Sequence, residues 1–155
     1  MFTATRHVAR TVAEREPPDP CTVVVSITDP DLPPARLADG WRAVHRAAFH
    51  DVVSRNDPTL VAITPTQAAA IVAFLEAWHH EPEEVELLVH CEAGLSRSAA
   101  VARFAAEWYD LPLPHEPDYP HCNIEVISQL RRACGWYERF TFANEVTQGT
   151  PDDGD

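Results

Sequence analysis

Cys91 and Arg97 lie six residues apart within Glu86 to Ser98, ELLVHCEAGLSRS, and a thiol and a guanidinium at that spacing are equipped for phosphoryl chemistry. The apolar run Leu87, Leu88 and Val89 suits a buried parallel strand, and Ser98 to Tyr109 (SAAVARFAAEWY) has the composition of a helix. Cys91 to Arg97 are then a tight strand-to-helix loop. Gly94 and the small Ala93 let that loop curl, so that the amides of Glu92, Ala93, Gly94, Leu95, Ser96 and Arg97 point inward and bind the oxygens of a dianion at the helix N-terminus. A helix N-terminus beside a cation also favours a thiolate, the nucleophilic form of cysteine. Arg97 adds a planar fork that holds two phosphoryl oxygens at once and follows their charge into the transition state. Ser98 is placed to hydrogen-bond the sulfur and help it leave a phosphocysteine.

The other cysteines serve as an internal control. Six residues beyond Cys21, Cys122 and Cys134 stand Ile27, Ser128 and Phe140, so only Cys91 has the arginine, the preceding strand, the glycine and the following helix. As it stands, His90-Cys91-Glu92-Ala93-Gly94-Leu95-Ser96-Arg97-Ser98 resembles the signature of the cysteine-dependent protein tyrosine phosphatases. Its AG and SRS elements look most like the small dual-specificity type and its compact bacterial and archaeal relatives. The resemblance implies a two-step reaction in which Cys91 attacks phosphorus, an aspartic acid protonates the leaving oxygen, and water hydrolyses the phosphocysteine. It also gives His90 a supporting role, holding the loop and tuning the sulfur.

The acid must come from elsewhere in the chain. Upstream of Cys91 stand Asp29, Asp31, Asp39, Asp51 and Asp57. Asp51 is the first choice, because it follows Phe49-His50 at the expected end of a strand and FHDV resembles the aspartate loop of these phosphatases. Asp29, which also ends a strand, is the alternative.

Strands alternating with helices predict an α/β fold, a central and mostly parallel sheet covered on both faces, with the site beyond the carboxyl ends of the strands. Phe2 to Thr5 is expected as a short strand and His7 to Glu16 as a first helix, stopped by Pro17 and Pro18. Cys21 to Thr28 (CTVVVSIT) has the strongest strand pattern, and Trp41 to Phe49 reads as another strand. Thr64-Pro65-Thr66-Gln67 is a helix start, with Ile71, Phe74, Leu75 and Trp78 on one face of a helix ending near His79. Asn123 caps a last helix in which Ile124, Ile127, Leu130 and Cys134 recur at helical spacing. Residues 1–146 are expected as one domain and the polar 147–155 as a disordered tail.

With 24 acidic against 12 basic residues the formal charge is −12, and every basic residue is arginine. The absence of lysine excludes Schiff-base chemistry and the lysine-bearing nucleotide loop, and the acidity disfavours nucleic acid and slows encounter with polyanions such as inositol phosphates. A salt-rich cytoplasm and a GC-rich genome that prefers arginine codons both fit this composition. No stretch approaches the ~20 apolar residues a membrane span requires, and no apolar leader is seen, so a soluble cytoplasmic monomer is expected. Four cysteines without a CxxC pair read as free thiols, with Cys122 or Cys21 a possible oxidative partner for Cys91. The histidines form no ligand set at zinc spacing, and neither metal nor cofactor is expected. The substrate is a phosphorylated protein or a small phosphomonoester. Two other classes fit a short cysteine loop: a silent phosphate-recognition module, and a rhodanese-like or arsenate-reductase-like thiol enzyme, which needs a second redox-competent cysteine near Cys91.

Overall fold

The computed structural model describes residues 1–53, 56–112 and 121–139. Its elements in chain order are β1 (Phe2–Ala9), α1 (Arg10–Arg15), β2 (Thr22–Thr28), β3 (Ala43–Ala48), α2 (Pro65–His79), β4 (Val85–Cys91), α3 (Arg97–Trp108) and α4 (Ile124–Ala133). The four strands form one all-parallel sheet in the order β1-β4-β2-β3. The inner strands carry the continuous apolar runs that burial on both faces demands: all seven residues of β2 are buried, and all of β4 except Glu86. The edge strand β3 instead alternates half-buried and exposed residues.

Alternation along the strands sorts the core. Val23, Val25, Ile27, Leu87, Val89 and Cys91 pack in one cluster with α2, α3 and α4. Val24, Ser26, Leu88 and His90 point to the other face, where α1 lies over β1 and β4 with Ala13 fully buried. Its alanines let α3 approach the sheet closely, and Phe104, fully buried, fills the space left beside them. Trp108 and Trp136 flank that core, as does the half-buried Cys134.

The helix caps anticipated from sequence are formed. Thr64 Oγ1 accepts from Gln67 N–H at 3.1 Å while Gln67 Oε1 accepts from Thr64 N–H at 3.0 Å, and Gln67 Nε2 donates to Ala48 O at 2.8 Å, tying α2 to the end of β3. Asn123 caps α4 through Val126 N–H at 3.0 Å. The N-terminal expectation is corrected. His7, Val8 and Ala9 belong to β1, and the helix that follows is only Arg10–Arg15. The reason is the parallel ladder, which pairs His7 with Val89, Val8 with His90 and Ala9 with Cys91, so sheet pairing over the full length of β4 overrides local helix preference. The expected tail, residues 147–155, lies outside the described residues, as do His115, Phe140 and the end of the proposed domain.

Candidate active site

Cys91 is the last residue of β4, an inner strand, and so stands at the carboxyl edge of the sheet where α/β folds place their ligands. Its side chain is buried. Gly94 N–H donates to Cys91 Sγ at 3.3 Å, and Ser98 Oγ lies 3.1 Å from the same sulfur. The loop closes over the thiol because Gly94 adopts φ +74° and presses against β1: a Cβ there would sit 2.3 Å from Ala9 N and 2.4 Å from Val8 C. His7 Nδ1 meets Gly94 O at 2.7 Å, and Arg10 N–H donates to Glu92 O at 3.2 Å, so the end of β1 is the floor of the loop. The amides of Ala93, Leu95 and Ser96 have no hydrogen-bond partner among the described residues, which leaves them available to an anion.

The loop side chains divide their work. Glu92 is turned away to Arg10 Nη1 at 3.1 Å, and Arg10 also meets Glu14 at 3.3 Å and Pro34 O at 3.1 Å. Burial opposes the charge of Arg10, but Glu92 and Glu14 outweigh it and hold the guanidinium above its ordinary value. What Glu92 offers a bound anion is therefore only its backbone. Leu95 is exposed, as are Val53, two residues beyond Asp51, and Ile124, the residue after Asn123. Ser96 Oγ donates to Asp51 Oδ1 at 2.8 Å.

Arg97 begins α3 and is 4% exposed. Its Nη1 donates to Asp29 Oδ1 and to Phe49 O, each at 2.6 Å, while Nε is buried without a partner among the described residues. A buried guanidinium nitrogen left unsatisfied is costly, and an anion seated in the loop is the kind of group that would satisfy it.

The two candidate acids are thereby separated. Asp29, immediately after β2, is the anchor of Arg97. Asp51 is exposed and accepts two hydrogen bonds on one oxygen, from Ser96 and from Asn123 Nδ2 at 2.7 Å. Sequence reasoning saw Asn123 only as a helix cap; its contact with Asp51 spans 72 residues and leaves no local signal.

His90 is fully buried and points to the sheet face opposite Cys91. Its Nε2 meets Ser26 Oγ at 2.6 Å, and Nδ1 lies 3.5 Å from Cys91 O. Burial, above all, pushes its proton affinity below the usual histidine range, so it supports the loop as a neutral ring. The four cysteines are free. Cys21 precedes β2 and accepts from Glu86 N–H at the opposite end of β4 from Cys91, about 16 Å away at ~3.3 Å per strand residue, too far for a disulfide. Cys122 is buried next to Asn123, with Arg103 Nη1 at 3.7 Å from its sulfur.

A cavity of about 560 Å³ lies between α2 and α4, lined by Pro65, Ala69, Glu125, Gln129, Arg132 and Ala133. None of these residues belongs to the cysteine loop. Among the described residues no cluster of three His, Cys, Asp or Glu side chains is arranged to hold a metal, and no helix is long and apolar enough to cross a membrane.

The fold is thus an α/β sandwich on an all-parallel sheet, with a Cys-x5-Arg loop between an inner strand and the helix that follows it. Among solved structures the chain is similar to the human tyrosine phosphatase-like serine/threonine/tyrosine-interacting protein, at 16% identity and a TM-score of 0.45 over 75% of this chain and 78% of that one. It is likewise similar to Tk-PTP in its active form, at 23% identity and a TM-score of 0.41 over 85% of this chain and 77% of that one. No protein-family model matches the sequence, and no curated protein matches it.

Proposed function

We propose that this protein is a cysteine-dependent phosphomonoester hydrolase that works through a phosphocysteine intermediate. The observation that carries this reading is the build of one strand-to-helix loop: Cys91 Sγ at its start lies under the Gly94 amide and the Ser98 hydroxyl, and the buried Arg97 at its end is held by Asp29 and Phe49 O.

In the first step the thiolate of Cys91 attacks phosphorus, the S–P bond forms as the P–O bond to the leaving group breaks, and Asp51 gives its proton to the departing oxygen. The loop amides and the free edge of Arg97 bind the three equatorial oxygens as charge shifts onto the leaving group. In the second step water attacks phosphorus and gives a proton to Asp51. The S–P bond breaks, its electron pair returns to sulfur, and the Ser98 hydroxyl 3.1 Å away donates to the re-formed thiolate. Asp29 is assigned to orienting Arg97.

Leu95, an exposed apolar residue within the loop itself, favours an ester whose alcohol carries apolar surface, such as a phosphorylated aromatic side chain, over a sugar phosphate or nucleotide. The chain's charge of −12 works against strongly acidic phosphopeptides. The test is hydrolysis of para-nitrophenyl phosphate from pH 5 to 8 in chelator and reductant, parent beside Cys91→Ser. Turnover that the substitution abolishes and vanadate blocks is expected. Turnover that survives in Cys91→Ser would refute the mechanism.

A further inference from the structure

We infer that Asn123 is the positioning residue for Asp51, and that the proton Asp51 transfers is carried on Oδ2. This rests on the reading of Asp51 as the general acid.

Asn123 is 3% exposed and sits at the N-terminus of α4. Its side chain works in two senses at once. Oδ1 accepts the N–H of Val126 at 3.0 Å, a contact only the amide oxygen can make, and this fixes which way the amide faces. Nδ2 must then point outward from the helix, where it donates to Asp51 Oδ1 at 2.7 Å and to Val52 O at 3.2 Å. The backbone of the same residue closes the circuit: Asn123 N–H donates to Ser96 O at 3.1 Å, and Ser96 Oγ reaches the same Asp51 oxygen at 2.8 Å. One buried residue therefore ties three separate pieces together, the start of α4, the exposed segment that carries Asp51, and the loop that carries Cys91.

The chemistry of the pair assigns the proton. An amide NH₂ has only hydrogens to offer, so Asp51 Oδ1 must present a lone pair to it, and Ser96 competes for the same oxygen. Oδ1 is committed as an acceptor in both protonation states of Asp51, which leaves Oδ2 to carry the proton out and back. Without Asn123 the carboxyl, on an exposed segment, would keep only the Ser96 hydroxyl as a tether, and misplacement of a reacting group by about 1 Å can cost on the order of 10²-fold in rate.

Capping and positioning are separable by substitution. Asn123→Ser keeps a side chain able to cap α4 but is too short to reach Asp51, whereas Asn123→Asp keeps the capping oxygen and sets a second carboxylate against Oδ1. The assay is kcat/KM on phenyl phosphate and on para-nitrophenyl phosphate, whose leaving group needs little protonation, with thermal unfolding alongside and Asp51→Asn as reference. Asn123→Ser is expected to unfold near the parent temperature and to lose roughly 10- to 100-fold on phenyl phosphate but less than about 3-fold on the activated ester. It should add no further loss in an Asp51→Asn background. Asn123→Asp should move the alkaline limb of the pH profile, where the acid loses its proton, to higher pH. Equal losses on both esters, additive losses in the double variant, or an unmoved alkaline limb would overturn the assignment of Asn123. Should Asp51→Asn itself depress both esters alike, the acid reading beneath it would fall instead, and the single variant reports that independently.

Discussion

Gly94→Ala and Gly135→Ala place the same methyl group on nearly the same backbone, φ +74° and +75°, in two different surroundings. At Gly135, just past α4, the nearest atom to the new methyl is Glu138 Oε2 at 2.8 Å, the far end of an exposed side chain that can swing aside. Only the left-handed backbone then resists, at about 1–2 kcal/mol. At Gly94 the methyl would meet backbone instead, Ala9 N at 2.3 Å, Val8 C at 2.4 Å and Val8 O at 2.8 Å. Those atoms are locked by the parallel pairing of Val8 with His90 and Ala9 with Cys91, so overpacking of about 1–3 kcal/mol adds to the strain. The sums are about 2–5 kcal/mol for Gly94→Ala against about 1–2 for Gly135→Ala. With a urea slope near 2 kcal/mol/M, the midpoints should fall by roughly 1–2.5 M and 0.5–1 M. Function should separate the two more sharply. The loop can accept the methyl only by lifting off β1, which moves the Gly94 amide from the sulfur. Inorganic phosphate should then stabilise the parent and Gly135→Ala against urea and leave Gly94→Ala unprotected. Equal midpoints for the two variants, with phosphate protection intact in both, would refute the claim that β1 is the floor of the anion site.

Four further outcomes are expected. Arg97→Lys should keep the fold but lower kcat on para-nitrophenyl phosphate by about 10²–10³-fold, because a single ammonium cannot hold Asp29, Phe49 O and two phosphoryl oxygens together; stopped-flow and steady-state rates would show it. Ser98→Ala removes the hydroxyl 3.1 Å from Cys91 Sγ and should slow the second step selectively, seen as a burst of nitrophenol before a reduced steady state; its absence with an unchanged rate counts against the role. Burial holds His90 below its unfolded proton affinity, and His45 and His79 are shifted the same way by burial, so as pH falls below about 6.5 the unfolded chain binds these protons first and stability drops. Unfolding free energy should therefore fall from pH 7 toward 5.5, with a shallower slope in His90→Gln. Finally, at a net charge of −12 the melting temperature should rise as potassium chloride screens self-repulsion, and continued gain into the molar range would mark adaptation to salt, whereas a flat response would exclude it.

What could be read in the sequence was whatever depended on local pattern. The nucleophile loop was legible because strand, glycine, arginine and helix all fall within one short stretch, and the caps of α2 and α4 were legible because Thr64 with Gln67 and Asn123 with Val126 are three residues apart. The start of the chain misled for the complementary reason. The composition of HVARTVAERE, His7 to Glu16, favours a helix, and only the partner strand β4, some eighty residues on, makes His7 to Ala9 extended. The same limit hid the carboxylate circuitry. Asp29 and Asp51 both follow strands, and nothing near either one says that the first grips Arg97 across 68 residues while the second answers to Asn123 across 72.

That division between the aspartates bears on how the site waits for its substrate. Arg97 is almost wholly buried, and a guanidinium there without a counter-charge would be strongly destabilising. Asp29 at 2.6 Å answers that need, but it also sets a negative charge beside a pocket meant for a dianion. The geometry reconciles the two demands by letting a single nitrogen, Nη1, carry both Asp29 and Phe49 O, which leaves Nε buried and unsatisfied. Arg97 is thus held in place by protein partners and keeps one buried donor, Nε, for a further acceptor. A phosphoryl group that brings its own oxygens to Nε and to the idle amides of Ala93, Leu95 and Ser96 completes the set without displacing Asp29. On this reasoning Asp29→Asn, which keeps the hydrogen bond and removes the charge, should weaken the fold yet tighten the binding of inorganic phosphate, and its loss of turnover should be the same for good and poor leaving groups, whereas the loss of a general acid falls on the poor ones.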